Sequence, residues 1–392
     1  MIKVLRIINR FNLGGPTFNA TFLSRFLSDE FETKLYGGKH ASHEGDSLFI
    51  PESYGLEPQI IDVMEREVNF SNDRKALKEI RRIIRAYKPD VVHTHASKSG
   101  ALGRYAAYKE NVPVIVHTFH GHVFHSYFGK LKTWVYKSVE RYLAKRSDAV
   151  IAISPLQKKE LVVEHKIASD EKFRVIPLGF DLDRFQENKE EKRRNFRKHY
   201  AVQEHQVAIG LIGRLAPIKN HSGFLEAVDS AAGKTKQELV IFIIGDGELR
   251  NEVEAQAVEI EKRHANLRIV FTSWIKDVYR ILPGLDLVAL SSFNEGTPVS
   301  LIEAQASGTP IISTDVGGVR DVMKAGETGL VVKKFELENY TSGLLDLIEN
   351  KEKREIMSQN GWNFVKEKFH YKRLCKDMEN LYLELLNKKR KK

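Results

Sequence analysis

SSFNEGTPVSLIEAQASGTPIISTDVGGVRD, residues 291–321, holds two glutamates, Glu295 and Glu303, with seven residues between them. Thr297 is placed to N-cap a helix whose first residue is Pro298. Glu295 then lies in the loop before that helix, and Glu303 lies on the helix itself. The amides of Gly296 and Thr297, together with the helix dipole, point toward the loop, where a phosphate would fit. A carboxylate beside a phosphate is unfavourable unless it has hydroxyl groups to accept from, and sugars supply those. Two surface glutamates would be the plain alternative, but the Gly and Pro punctuation around them argues against it.

Working outward, DLVAL (286–290) and TPIIST (309–314) flank this stretch as strands. Upstream, VAIGLIG (207–213), LVIFIIG (239–245) and LRIVF (267–271) alternate with helical stretches at 220–232 and 248–263. Downstream, helices are predicted at 338–349, 351–368 and 372–386. The first half repeats the pattern. VLRII (4–8), TKLYG (33–37), IIDV (60–63), DVVHT (90–94), VIVHT (114–118), AVIAIS (149–154) and FRVIP (173–177) read as strands. Helical stretches lie between them at 17–28, 73–87, 98–109, 131–146 and 155–165. Alternation of this kind makes parallel β-α-β units. A charged stretch, 187–199, separates the two series. The expected fold is α/β: two doubly wound, Rossmann-like domains, 1–180 and 181–370, with 371–392 returning to the first. Ligands in such sheets bind at the carboxyl ends of the strands, and the cleft between the domains is the expected site.

Two further loops carry candidate residues. In LIGRLAPIKNH (211–221) a strand ends at Gly213, and Arg214 and Lys219 follow before a helix. Two cations beside helix N–H groups would clamp a diphosphate. GDGELR (245–250) joins strand to helix through Gly245 and Gly247. In the first half, Gly14 and Gly15 form a strand-to-helix turn where backbone amides would meet an anion.

Composition narrows the class. The chain has 392 residues, 42% hydrophobic and 29% charged, which suits a two-domain globular protein. The single cysteine, Cys375, excludes a disulfide framework and every multi-cysteine metal site. The apolar N-terminal stretch is short and broken by Arg6, Asn9 and Arg10, unlike a signal peptide, and no window is long enough to span a membrane. The expected location is cytoplasmic, with peripheral contact to the inner face of the membrane. The net charge of +10 is uneven: residues 1–180 carry 28 Lys and Arg against 20 Asp and Glu, and residues 181–392 carry 34 against 32. A basic first half implies an anionic partner, and the basic helix 74–88 and the segment KLKTWVYKSVERYLAKR (130–146) would face an anionic membrane. His93, His95, His117, His120, His122 and His125 look metal-like by count, but lack acidic or cysteine partners at metal-ligand spacing.

The Glu295-x7-Glu303 pair in its Glu-Gly-Thr-Pro setting, the GRLAPIKN loop and GTPIISTDVGG together resemble the family-four glycosyltransferases of the GT-B fold. VIPLGFDLDRF (175–185) is similar to the interdomain segment of that family, although it reads Pro-Leu-Gly-Phe-Asp where the family has Pro-Asn-Gly-Val-Asp. FHYKRLCKDMENLYLELL (369–386) resembles the closing helix. The resemblance implies retaining, metal-independent transfer from a nucleoside-diphosphate sugar, UDP-sugar favoured, to a saccharide or lipid-linked saccharide, with no cofactor. By the same resemblance Arg214 and Lys219 would hold the diphosphate and Glu295 would accept from the donor sugar. Glu303 would accept from the ribose, His120 would sit near the anomeric carbon, and Gly15 would contact the phosphates. A two-domain nucleotide-sugar epimerase is the alternative on the same fold. A basic nucleic-acid-binding module is a lesser one, and the sequence lacks its usual motifs.

Overall fold

The computed structural model describes residues 1–11, 15–39, 47–65, 67–121, 129–333 and 336–391. The chain divides into two compact units, residues 1–180 with 369–392, and residues 181–368.

The first unit is built on seven strands: β1 (Ile2–Arg10), β2 (Phe31–Gly38), β3 (Gln59–Ile60), β4 (Val91–His95), β5 (Val114–Phe119), β6 (Ala149–Ala152) and β7 (Phe173–Val175). They pair in parallel in the order β3-β2-β1-β4-β5-β6-β7. Ile7 of β1 lies in register with Tyr36 on one side and Thr94 on the other. The order reverses between β1 and β4, so the connections leave these two strands toward opposite faces and open a crevice at their carboxyl ends. Side chains alternate between two cores. Val4, Val91, Val114 and Val116 pack with Leu374, Met378, Leu381 and Tyr382 of the last helix, Tyr371–Arg390. Leu5, Ile7, Val92 and Ile115 pack on the other face with Ile80, Ile83 and Ile84 of helix Phe70–Tyr87. Because both faces are covered, the strands read as runs of Val, Ile and Leu.

The last helix is tied to the segment that ends the first unit. Phe180 N–H donates to Phe369 O at 2.8 Å, and Tyr371 N–H donates to Phe180 O at 3.0 Å. Arg373 donates to the carbonyls of Pro177 and Leu178 at 2.8 and 2.7 Å. These are backbone contacts, so the Pro-Leu-Gly-Phe sequence can differ from the family's usual residues without loss of the join.

The second unit has six parallel strands: β8 (Val207–Ile212), β9 (Leu239–Ile244), β10 (Leu267–Thr272), β11 (Leu287–Leu290), β12 (Ile311–Thr314) and β13 (Gly329–Val332). Their order is β10-β9-β8-β11-β12-β13, with the reversal between β8 and β11. Ile209 pairs with Ile241 on one side and Leu287 on the other.

Several elements differ from the sequence-based expectation. The charged stretch read as a break is a helix, Lys189–His199. Its buried Arg197 bonds Asp286 at 3.0 Å and Gln206 O at 2.8 Å, while Arg193 takes the other oxygen of Asp286 at 2.9 Å. Asp286 also accepts from Ala208 N–H at 2.8 Å, which joins the helix to the start of β8. Arg197 is the one buried charge of this helix, and it docks the helix with Phe196. The strand expected at 60–63 reduces to two residues, because the chain turns through a Met64 N–H to Ile61 O bond. The stretch 155–165 is a short α-helix followed by a π-helical turn, Glu160–Glu164. The last helix runs to Arg390 rather than ending at 386, and Lys389 meets Asp148 at 2.8 Å. β13 was not anticipated, since Gly329–Val332 is too short to show a period.

Asp286→Ala is expected to lower unfolding free energy by about 3–5 kcal/mol, because it leaves Arg197 charged and buried without its partner. Urea denaturation of variant and wild type measures this.

Candidate active site

In the second unit, loops that follow adjacent strands converge on one small region. After β8 the chain passes Gly213 and Arg214 to a single 3₁₀ turn, Pro217–Lys219, and helix His221–Ala232 begins there with Asn220 capping Gly223 N–H. After β11, Ser291 Oγ lies 3.0 Å from the carbonyls of both Lys219 and Asn220, and Phe293 N–H donates to Ile218 O at 2.9 Å. These bonds fasten the two loops at the point where the strand order reverses.

Lys219 reaches across to Glu295 at 2.6 Å, and Ser292 Oγ donates to the same carboxylate oxygen, also at 2.6 Å. The pair is largely shielded, with the Lys219 and Glu295 side chains 23% and 10% exposed. Among the described residues nothing donates to the second oxygen of Glu295. The loop after β12 closes the other side. Gly318 N–H donates to Glu295 O at 3.1 Å. A Cβ on Gly317 would lie 1.8 Å from Glu295 O, and one on Gly318 would lie 1.9 Å from Gly296 O. Gly317 also has a φ of +51°, which other residues rarely adopt. The GTPIISTDVGG stretch therefore supports the Glu295 loop by backbone contact. Gly296 is open, with no atom within 4 Å of an added Cβ.

The loop after β9 packs on the loop after β8. Leu215 N–H donates to Asp246 O at 3.0 Å, and Leu249 N–H donates to Leu215 O at 3.1 Å. Gly245 lies with its Cα against Gly213 O, and Gly247 against Leu215 O, where Cβ atoms would approach to 2.0 and 2.3 Å. Arg214 is exposed and pairs with Glu248 at 2.9 Å. An exposed pair of this kind holds weakly, so a stronger anion can take Arg214 from it.

Helix Val299–Ala306 begins one residue later than expected. Pro298 is its N-cap, with ψ of 93°, and neither Thr297 nor Pro298 makes a side-chain cap. The Gly318 bond to Glu295 holds the preceding segment as a loop, so Thr297 lies outside the cap position. Glu303 sits on this helix and burial raises its pKa to about 7, with nearby Arg184 opposing the shift.

In the first unit, Gly15 opens helix Gly15–Arg25; Gly14, His122 and His125 lie outside the described residues. His120 follows β5, and its Nε2 lies 2.9 Å from His95 Nδ1 at the end of β4. Burial pushes the His120 pKa down to about 4, so the ring is neutral near pH 7. Among the described residues no group of three His, Cys, Asp or Glu side chains is arranged to hold a metal ion. Ser292 carries no assignment from the sequence pattern. Its position three residues before Glu295, at a strand end, is the signal that it could orient that carboxylate.

Comparison with known proteins agrees with this architecture. The model for glycosyl transferases group 1 matches residues 192–364, and that for glycosyltransferase family 4 matches residues 32–184. An Escherichia coli UDP-Gal:alpha-D-GlcNAc-diphosphoundecaprenol alpha-1,3-galactosyltransferase is 30% identical over 326 residues, 82% of each chain. The chain is a family-four glycosyltransferase. The capsular polysaccharide glycosyltransferase CapM of Staphylococcus aureus is 24% identical over 87% of this chain and 88% of its own. The structure of Anabaena HepE in complex with UDP superposes with a TM-score of 0.81 at 17% identity, covering 98% of this chain and 100% of that one. The fold of this glycosyltransferase is GT-B, and the curated relatives named here are transferases, which does not favour the epimerase alternative.

Glu303 supplies a pH test. Its folded pKa of about 7 exceeds the ordinary value of 4.5, so the folded state binds the proton more tightly than the unfolded chain. Stability therefore falls as pH rises from about 4.5 through 7, and the loss is complete above that. Glu303→Gln should match the wild-type melting temperature near pH 4.5 and exceed it by a few degrees at pH 8, as read by thermal unfolding in both buffers.

Proposed function

We propose that this glycosyltransferase moves a hexose from a UDP-sugar to a lipid-linked saccharide, with retention of anomeric configuration and without a metal ion. The second unit would bind the donor and the first the acceptor. The observation that carries this reading is the Lys219–Glu295–Ser292 cluster at the strand-order reversal of the second sheet, where a cation and a hydroxyl-seeking carboxylate stand side by side. The E. coli relative, named for UDP-galactose and a diphosphoundecaprenol acceptor, supports the donor and acceptor classes.

In this mechanism Arg214 leaves Glu248 and joins Lys219 on the donor diphosphate. Gly213, Gly245 and Gly247 keep the loops close enough for backbone amides to take part, and Gly296, Thr297 and Pro298 form the wall beside the sugar. Glu295, oriented by Ser292, accepts from donor sugar hydroxyls through its second oxygen. Glu303 accepts from the ribose. The family resemblance assigns Gly14 and Gly15 to the donor phosphates and His120 to the sugar. The C1–O bond to the diphosphate breaks and the acceptor oxygen bonds to C1 on the same face. The acceptor proton passes to the departing phosphate oxygen, so no separate base is needed. The barrier is lowered chiefly by charge stabilisation of that leaving group, which Arg214 and Lys219 supply where other enzymes use a divalent ion.

Helix Lys130–Arg146 supports the membrane-proximal reading. Leu131, Trp134, Val135, Val139 and Tyr142 are exposed on it, interleaved with lysines, and an apolar pocket of about 470 Å³ lies between this helix and helix Ser97–Lys109. Helix Phe70–Tyr87 is the weaker candidate. Its apolar face is in the core, and Arg81, Arg82 and Arg85 pair with Glu110 and Glu79. Among the described residues no helix is long and apolar enough to cross a membrane.

Arg214→Ala and Lys219→Ala are each expected to cut transfer from a UDP-sugar by about 10²–10³-fold with the fold intact by circular dichroism. Near-normal turnover in both would overturn the diphosphate assignment. Turnover should also survive EDTA; loss that Mn²⁺ or Mg²⁺ restores would count against a metal-free mechanism. In vesicle co-sedimentation, binding should require anionic lipid, weaken with salt, and drop several-fold on Trp134→Ala with Lys132→Glu, since each cation near the surface contributes about 1 kcal/mol.

A further inference from the structure

The first unit buries a guanidinium among imidazoles. Arg6, on β1, is fully buried, as are His93, His95 and Tyr382. No carboxylate among the described residues pairs with Arg6. Its Nη1 lies 2.8 Å from His93 Nδ1, 3.4 Å from His95 Nε2 and 3.3 Å from Tyr382 OH. Its Nε bonds Ser24 Oγ at 3.2 Å and its Nη2 bonds Leu23 O at 3.1 Å, so the guanidinium is held from both sides.

An arginine only donates, and this fixes the protons of the rings around it. His93 Nδ1 must accept, so His93 carries its proton on Nε2, which faces Thr118 Oγ1 at 2.8 Å. His95 Nε2, at 3.4 Å, shares the two N–H groups of Nη1 with His93 and Tyr382 and faces no acceptor among the described residues, so a proton on it would point at the guanidinium and the nitrogen is left as an acceptor. A neutral imidazole has one N–H, so the His95 proton is on Nδ1, and Nδ1 faces His120 Nε2 at 2.9 Å. His120 Nε2 is thereby an acceptor, and the His120 proton is on Nδ1. Burial lowers the pKa of His93 and His95 well below the ordinary value, the neighbouring rings and Arg6 adding to it, so each ring stays neutral. His120 Nδ1 is buried and has no hydrogen-bond partner among the described residues.

We infer that Arg6 and His95 are positioning residues that hold His120 as the Nδ1–H tautomer, so that it offers one fixed N–H donor to a hydroxyl or phosphate oxygen of the bound substrate. The His120 ring is thus a neutral donor and not a base: its only lone pair is occupied by His95. The inference deepens the transferase reading and rests on it for the identity of the substrate oxygen; the tautomer itself rests on the geometry alone. It also gives a use to the histidines on β4 and β5 that a metal does not.

Long-range ¹H–¹⁵N spectra of the ¹⁵N-histidine-labelled full chain without substrate test the tautomer, with the His120 signals identified by their loss in His120→Gln. The expected pattern is a protonated Nδ1 and an unprotonated Nε2 for both His95 and His120. A protonated Nε2 on His120 would overturn the inference, whatever the enzyme transfers. Kinetics then test the positioning role. Asn places an amide nitrogen two bonds from Cβ, as His does with Nδ1, so His95→Asn keeps a donor toward His120 whereas His95→Leu removes it. His95→Leu should lower kcat for UDP-sugar turnover by about tenfold or more, the scale of one well-placed hydrogen bond, with KM unchanged and His120 turned to Nε2–H in the spectrum. His95→Asn should keep kcat near wild type. Equal kcat in the two folded variants would overturn the role. If His95→Leu does not fold, the wild-type spectrum and the His95→Asn rate decide. Absence of any sugar transfer alongside the expected spectrum would fail the donor assignment and leave the tautomer standing.

Discussion

Lys219 meets Glu295 because β8 and β11 are neighbours in a sheet whose strand order reverses between them. The two residues are far apart in sequence, and neither loop would hold its shape alone. Parallel pairing brings their strand ends level, and the reversal leaves space above those ends that no crossover helix fills. Ser291 and Phe293 then bond the loop after β8 to the loop after β11. The ion pair is thus a product of strand order, and the remaining contacts of the site are arranged around it.

Close backbone approach is the second constraint. Gly245 and Gly247 let the loop after β9 lie against the loop after β8, and Gly317 and Gly318 let the loop after β12 lie against Glu295 and Gly296. In each case a side chain would occupy the space of a carbonyl oxygen. The result is four loops held mainly by their own amides and carbonyls, a rigid frame in which the side chains of Lys219, Ser292 and Glu295 have little freedom. Preorganisation of that kind suits stabilisation of a leaving group whose charge develops during reaction.

The two units treat buried arginines differently. Arg197 has a carboxylate, Asp286, and serves to join a helix to a strand. Arg6 has only neutral acceptors, so its charge acts on ring tautomers instead. The first arrangement is a structural tie. The second transmits a donor-only constraint across two imidazoles to the end of β5, and Tyr382 of the last helix is part of it. That helix therefore does more than cover the sheet.

Strand and helix alternation was legible in the sequence because parallel strands covered on both faces appear as runs of Val, Ile and Leu between amphipathic stretches. Lys219, Glu295 and the Gly pairs were legible as loop residues for the same reason: each follows such a run directly. Helix Lys189–His199 was not, since its outward signs were charge and its core contacts are made by an arginine and one phenylalanine. Nor could Thr297 be excluded as a cap, because the bond that displaces it comes from Gly318. By itself the sequence determined the α/β class, the two series of strands and the loops that hold the polar residues, all consequences of local hydrophobic period and turn chemistry. Only the tertiary structure decided which loops meet, that Ser292 shares Glu295 with Lys219, and that His120 Nε2 faces His95 Nδ1, because each depends on strand order and on hydrogen bonds between residues that no local pattern connects.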